Sequence, residues 1–252
     1  MQLLHTWETE TNRYHAYVTT RTNGHNGGNV GLHVGDEIDR VVQNRQLFFQ
    51  RANLSLEDSV WAEQIHGTNV QFVGPIDRGK GAFLYDEAIS KTDGLLTTEE
   101  HLPLALVFAD CVPLFFCAKE RGLIGIAHAG WKGTVGNIVQ SMVEAYKDHG
   151  VDATEIEMLI GPSISGDDYE VDRRVLNAVH DVSSVAYKRA VQDESGEHAH
   201  LSLQTVNEVL AKEHDISVSH SKLTTGANAP YFSYRDGETA RRFAAVIVKE
   251  RK

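Results

Sequence analysis

The sequence predicts one α+β domain with mixed β-sheets and flanking helices. Three observations carry that reading. Residues 104–108 (LALVF) and 123–127 (LIGIA) are continuous apolar runs, the pattern of strands buried on both faces. Val135, Ile138, Val139, Met142, Val143 and Tyr146 recur three and four apart, the period of an amphipathic helix. The element order mixes hairpin-like pairs with strand–helix–strand passages. A chain of 252 residues can bury roughly three quarters of its unfolded surface in one unit without staples, so residues 1–252 are read as a single domain.

The elements follow in order. Residues 22–35 (TNGHNGGNVGLHVG) are glycine-rich and read as a loop that turns tightly or lies close to something. Asp36 to Gln50 reads as a helix, with Asp36 or Asp39 as its cap and Val41, Val42, Phe48 and Phe49 on the apolar side. Residues 59–65 and 70–73 read as strands around a turn at His66-Gly67-Thr68. Thr92-Asp93-Gly94 is a turn signal. Pro113 is expected to stop regular pairing after the 104–108 strand. Gly133 to His149 reads as one helix ending at Gly150. Residues 156–160 and 244–248 read as strands, and 173–182 and 203–214 as helices.

Composition narrows the function classes. The hydrophobic fraction is 41% and the charged fraction 23%, which excludes collagen, long coiled coil and wholesale disorder. A net charge of −11 disfavours a broad nucleic-acid surface but leaves room for a local basic pocket. The longest apolar stretch, Leu102 to Ala118, is interrupted by Asp110 and two prolines, so no membrane span is expected. Two cysteines, Cys111 and Cys117, fit a reducing compartment, and the N-terminus lacks a basic-then-apolar leader; both point to the cytoplasm.

Reactive side chains stand where buried elements break. His66 follows a strand and precedes a glycine. Asp110 and Cys111 end the 104–108 run. His128 ends the 123–127 run, and a glycine-flanked turn with Trp131 and Lys132 follows. If those two strands are neighbours in one sheet, Cys111 and His128 project near the same edge. One thiolate and two imidazoles suit a tetrahedral zinc ion with a fourth position for water or substrate. Copper binds the same donor types. The same Cys111 and His128 would equally serve as thiolate nucleophile and base, as in cysteine hydrolases. Arg45 and Lys132 are the basic side chains placed to hold a phosphate, against the simpler reading of solvated surface charge.

Several segments together resemble the signature blocks of the YfiH/YlmD-like family, earlier grouped with polyphenol oxidases and multicopper laccases. They are WAEQIHGTNV, TDGLLT, FADCVPLFF, GIAHAGWKGT and IGPSISGDDYEV, with GLHVGDEIDRVVQNR near the start and YFSYRDGETARRFAAVIV at the end. The resemblance implies a single α+β domain related to toxin-like cysteine hydrolases, with a metal at His66, Cys111 and His128. It implies purine nucleoside phosphorolysis (adenosine, inosine, guanosine, methylthioadenosine) and deamination of adenosine, with inorganic phosphate as co-substrate. Adjacency to these blocks makes Arg45 and Lys132 the phosphate candidates. It makes Gln64, Asp110 and Tyr169 the candidates for base or ribose contacts. Lys132 stands where the family usually has arginine, so a bidentate grip there is replaced by a point charge. Asp167-Asp168 and Leu223 stand where cysteines are common, and the 22–30 loop is shortened. Oligomeric state is not legible in the sequence.

Overall fold

The chain lays down four layers. The computed structural model describes all 252 residues. Strands Gln2–Glu8, Asn12–Val18, Phe243–Arg251, Leu104–Phe108 and Val60–Trp61 form a five-stranded sheet in that spatial order. Strands Ser217–His220, Glu157–Ile160, Val112–Ala118, Leu123–Ala129, Gly94–Thr97 and Val70–Phe72 form a six-stranded one. Both are mixed, with parallel pairs at Val60↔Leu104, Val70↔Gly94 and Ser217↔Glu157. A smaller sheet (Glu170–Asp172, His198–Leu201, Val191–Ser195) is hydrogen-bonded to neither, and its Val171, Ala199 and Leu201 join the core of the six-stranded sheet.

Side-chain alternation builds the layers. Along Leu104–Phe108, Leu104, Leu106 and Phe108 enter the core between the large sheets, while Ala105 and Val107 face helix Ile38–Arg51 with Phe48, Phe49 and Trp61. Along Val112–Ala118, Phe115 and Cys117 enter the same inter-sheet core. Leu114 and Phe116 face helices Ile138–Asp148 and Leu203–Lys212. A run that must be apolar on both faces is therefore continuous in sequence, as the 104–108 and 123–127 segments are. Cys117 is fully buried in this core.

Several expectations are corrected. Strands 104–108 and 123–129 are not neighbours; they belong to different sheets, and Val112–Ala118 is the strand that pairs with Leu123–Ala129. Pro113 sits inside that strand, opposite His128, and its carbonyl accepts from Gly161 N. Only one ladder donor is lost, near the strand's start, and pairing continues. The long helix is two, Trp131–Val135 and Ile138–Asp148, broken at Gly136-Asn137. Asn137 takes a left-handed φ of 61° and caps the second helix by accepting from Gln140 N. Neither Asp36 nor Asp39 caps helix Ile38–Arg51, whose N-cap is Glu37. The 59–65 strand shortens to Val60–Trp61 with a bridge at Ala62, and the N-terminal hairpin was not anticipated. Gly150 ends its helix with φ +74°, as expected.

Candidate metal centre

The site forms where the chain crosses from one large sheet to the other. Leu104–Phe108 ends, Asp110 turns the backbone, and Cys111 leads into Val112–Ala118. Asp110 has φ +80°, a strained value for a residue other than glycine. Both its oxygens help hold it there: Oδ1 accepts from Thr225 Oγ1 at 2.6 Å and Oδ2 from Arg235 N at 2.7 Å. On Leu123–Ala129, Ile124 and Ile126 face the inter-sheet core, so alternation sends His128 to the same side. Its ring lies 5.4 Å from that of Phe108. His66 arrives from the Ile65–Gly67 turn, also with positive φ (+61°).

Asp93 ties these pieces together. It is fully buried. Its Oδ1 accepts from His128 Nδ1 (2.8 Å) and His66 N (3.0 Å); its Oδ2 accepts from Gly67 N (2.7 Å) and Ile65 N (3.2 Å). One carboxylate thus holds the His66 turn in its strained form and engages Nδ1 of His128, so that Nε2 is the ring nitrogen turned to Cys111. A carboxylate behind a histidine in this way orients metal ligands.

The ligand atoms of His66, Cys111 and His128 lie within 4.8 Å of one another. The two imidazoles meet edge to face, with centroids 4.7 Å apart. Gly130 leaves them room: a Cβ there would stand 3.0 Å from both Cys111 Sγ and His66 Cδ2. Burial pushes the Cys111 thiol up. The positive charge of His128 and hydrogen bonds from both histidines outweigh it, bringing the thiol down to about 6. Burial pushes His128 down, but the Cys111 thiolate and Asp93 raise it to about 9. The corner therefore favours a thiolate beside an imidazolium. One soft sulfur, two ring nitrogens and an orienting carboxylate are the donor chemistry of a three-ligand zinc centre.

A cavity of about 510 Å³ opens on this corner, and a second lobe of about 320 Å³ adjoins it. Both volumes fall within the small-molecule range. Tyr169, Trp131 and Asp110 line both lobes. Lys132 lines the smaller one and Gln64 the larger. The Gln64 amide is already engaged, donating to Val107 O and accepting from Val107 N. Burial pushes the Tyr169 phenol up to about 12, so it stays protonated.

Arg45 does not reach the cleft. It is 3% exposed, stacks on Trp61 at 3.7 Å, and donates to the carbonyls of Val30, Gly81 and Ala82. Its helix faces the outer side of the five-stranded sheet, so its guanidinium holds loops rather than ligand. Conversely, sequence reasoning assigned no role to Asp93, His33, Arg235 or Arg242, all now at or beside the cleft. Each lay inside a quoted block. Only Asp93 carried a local signal, and that signal read as a turn.

A family model described as multi-copper polyphenol oxidoreductase laccase matches residues 15–250. The chain belongs to this family. Purine nucleoside phosphorylase YlmD of Bacillus subtilis (strain 168), a relative, is 40% identical over 229 residues, covering 88% of this chain and 82% of the relative. Adenosine deaminase RL5, from an unknown prokaryotic organism, is 29% identical over 197 residues, covering 76% of this chain and 75% of RL5. The crystal structure of YlmD from Geobacillus stearothermophilus matches with a TM-score of 0.88 at 31% identity, covering 99% of this chain and all of that one. The resemblance to YfiH/YlmD proteins and the single α+β fold both stand. No helix of this family member is long and apolar enough to cross a membrane.

Proposed function

We propose that the protein is a zinc-dependent purine nucleoside phosphorylase that also deaminates adenosine. It would act in the cytoplasm on adenosine, inosine, guanosine and methylthioadenosine, with residues 1–252 as one catalytic domain. The observation that carries this reading is the His66–Cys111–His128 corner opening on a nucleoside-sized cavity. The names of the YlmD and RL5 relatives support it.

His66, Cys111 and His128 would hold the ion, and Asp93 would orient His128. Zinc bound there would supply a Lewis acid and lower the pKa of a bound water to about 7. Phosphorolysis forms a bond from a phosphate oxygen to C1′ of the ribose while the base leaves with a proton. Tyr169 and Trp131 offer apolar walls for the purine and ribose. Lys132 would add a point charge at the rim. Asp110 shapes the turn that presents Cys111, its oxygens already committed to Thr225 and Arg235.

The thiolate–imidazolium pair favours one other reading, a Cys111–His128 hydrolase on cell-wall precursors, the chemistry of cysteine hydrolases. One experiment separates the two. Zinc-loaded protein is incubated with adenosine, with and without phosphate, beside a Cys111→Ala control, and products are identified by mass spectrometry. Phosphate-dependent adenine and ribose 1-phosphate, absent in the control, are expected; inosine without phosphate would add the deaminase. Absence of adenosine turnover, or turnover that survives strong chelation but dies on thiol alkylation, would overturn the proposal. Stoichiometric copper with oxygen uptake would replace it by a phenol oxidase.

A further inference from the structure

Inside this acidic protein the cleft beside the three-ligand corner is walled by cations that lack acid partners. Many arginines elsewhere are tied to carboxylates, among them Arg13 to Glu8, Arg121 to Glu155 and Arg173 to Glu194. The contrast is sharpest between two adjacent residues. Arg241 pairs with Glu238, whereas Arg242 points into the cleft with no carboxylate within 4.0 Å. Arg235 and Lys132, which also line the cleft, likewise have none.

Arg242 is held in a defined pose. Its Nη1 donates to the carbonyls of Thr239 and Arg241, at 3.0 and 2.8 Å. Nε and Nη2 make no hydrogen bond within the protein and remain as two donors of one planar fork. Its backbone is clamped on both sides: Arg242 N donates to Asn29 Oδ1, and Arg242 O accepts from Val30 N. Its stem lies on Gly31, where a Cβ would come 2.9 Å from Arg242 Cγ. The glycine-rich loop is therefore a seat for this side chain. Buried residues brace the seat from behind. Asn44 donates to Asn29 O, Arg45 donates to Val30 O, and Asn29 Nδ2 donates to Asp36 Oδ2. The same loop carries His33 to the cavity wall.

We propose that Arg242, seated by the 22–35 loop with His33 beside it, binds inorganic phosphate in the cleft next to the three-ligand corner. The inference rests on the proposed phosphorolysis for its ligand, since a neutral nucleoside needs no fixed cation. A guanidinium with two free parallel donors matches a tetrahedral oxyanion. The buried Arg45 then acts at one remove, as a positioning residue for the loop. A phosphomonoester carries the same oxyanion, so the test includes one.

Zinc-loaded protein is titrated calorimetrically with orthophosphate and, separately, with adenosine 5′-monophosphate. Wild type is compared with Arg242→Gln, Arg242→Lys and Gly31→Ala at equal zinc content and matched melting temperature. Losing a charge-assisted pair should weaken orthophosphate binding about 10- to 100-fold in Arg242→Gln. Arg242→Lys should recover part of that loss. Gly31→Ala should weaken binding in the same direction by displacing the fork while keeping every charge. Unchanged orthophosphate affinity in Arg242→Gln, or no orthophosphate binding by wild type, would overturn the site. Wild-type affinity in Gly31→Ala would overturn the seating role. An effect confined to adenosine 5′-monophosphate would assign the anion to a nucleotide and overturn the orthophosphate assignment. If wild type binds orthophosphate through Arg242 yet releases no base from adenosine, the phosphorylase reading fails and the anion site stands.

Discussion

Two loops in this protein are each organised by one aspartate, and they are built differently. Asp93 collects three backbone N–H groups and one imidazole, and it is fully buried. Asp36 collects side chains instead: His25 Nε2 at 2.7 Å, Asn26 Nδ2 at 2.9 Å and Asn29 Nδ2 at 2.8 Å, with Glu37 N. The first aspartate reaches the metal ligands directly, through His128 and the His66 turn. The second reaches the cleft only through the glycine-rich loop and Arg242. A carboxylate that binds backbone fixes geometry whatever the neighbouring side chains are. One that binds side chains depends on their identity. The two should therefore fail separately, one in metal binding and the other in loop order.

The largest effect is expected at Asp93. Asp93→Ala leaves three backbone N–H groups and the buried His128 Nδ1 without their acceptor, the buried one alone costing about 1–3 kcal/mol. Asp93→Asn keeps the volume but cannot accept from all four donors. Zinc affinity, read by competition with a chromophoric chelator, should fall about 10- to 100-fold in Asp93→Asn. Wild-type affinity in a folded Asp93→Asn protein would remove the aspartate from the metal centre.

Asp36→Ala should cost less, about 1–3 kcal/mol by denaturant unfolding, and leave zinc affinity unchanged. A drop in zinc affinity as large as that of Asp93→Asn would break the comparison, because it would make the two loops one cooperative unit. A thermodynamic cycle with Asp36→Ala and Asp93→Asn sharpens it further, since separate loops should show additive losses.

A pH series isolates the Asp36 contribution. Burial pushes this carboxyl up, but the hydrogen bonds from Asn26, Asn29 and His25 outweigh it and hold it well below the usual carboxylate range. A depressed folded pKa contributes stability that is present above the unfolded value, about 3.9, and is lost as pH falls towards the folded one. The stability gap between wild type and Asp36→Asn should therefore hold from neutral pH down to about 5 and shrink below about 4. A gap that stays constant to pH 3 would show that ionisation of Asp36 does not matter. The smallest effect is expected away from both loops. Removing the Asn137 cap with Asn137→Ala should cost about 0.5–2 kcal/mol and leave zinc binding unchanged.

Much of the fold was legible because its causes are local. Helix Arg173–Val182 and the Leu104–Phe108 strand declare themselves through period and apolar content, and Gly150 through the left-handed cap. The break at Gly136-Asn137 was not legible, since Val135, Ile138 and Val139 keep helical spacing across it. Nor was the continuation of pairing through Pro113, which depends on which ladder donors the neighbouring strands require. The same division runs through the site. The three ligand types stood at breaks in buried runs and were found there. Arg45 and Arg242 look alike in sequence, each a basic residue in a quoted block. Only packing sends one under Trp61 and the other into the cleft.

Residue chemistry and spacing pointed to the α+β class, the apolar runs that become central strands and three candidate donors, and the resemblance of the sequence blocks supplied the family and the joining of those donors into one site. Tertiary structure alone decided that the two apolar runs lie in separate sheets, and that Asp93 backs both histidines. It alone set one arginine to brace a loop and another to face the cleft. The physical reason is range. Period, capping and turn preference act within a few residues. The partners of Asp93 are 26 to 35 positions away, and those of Arg242 in the glycine loop 212 and 213 away, so chain folding, not local preference, sets their geometry.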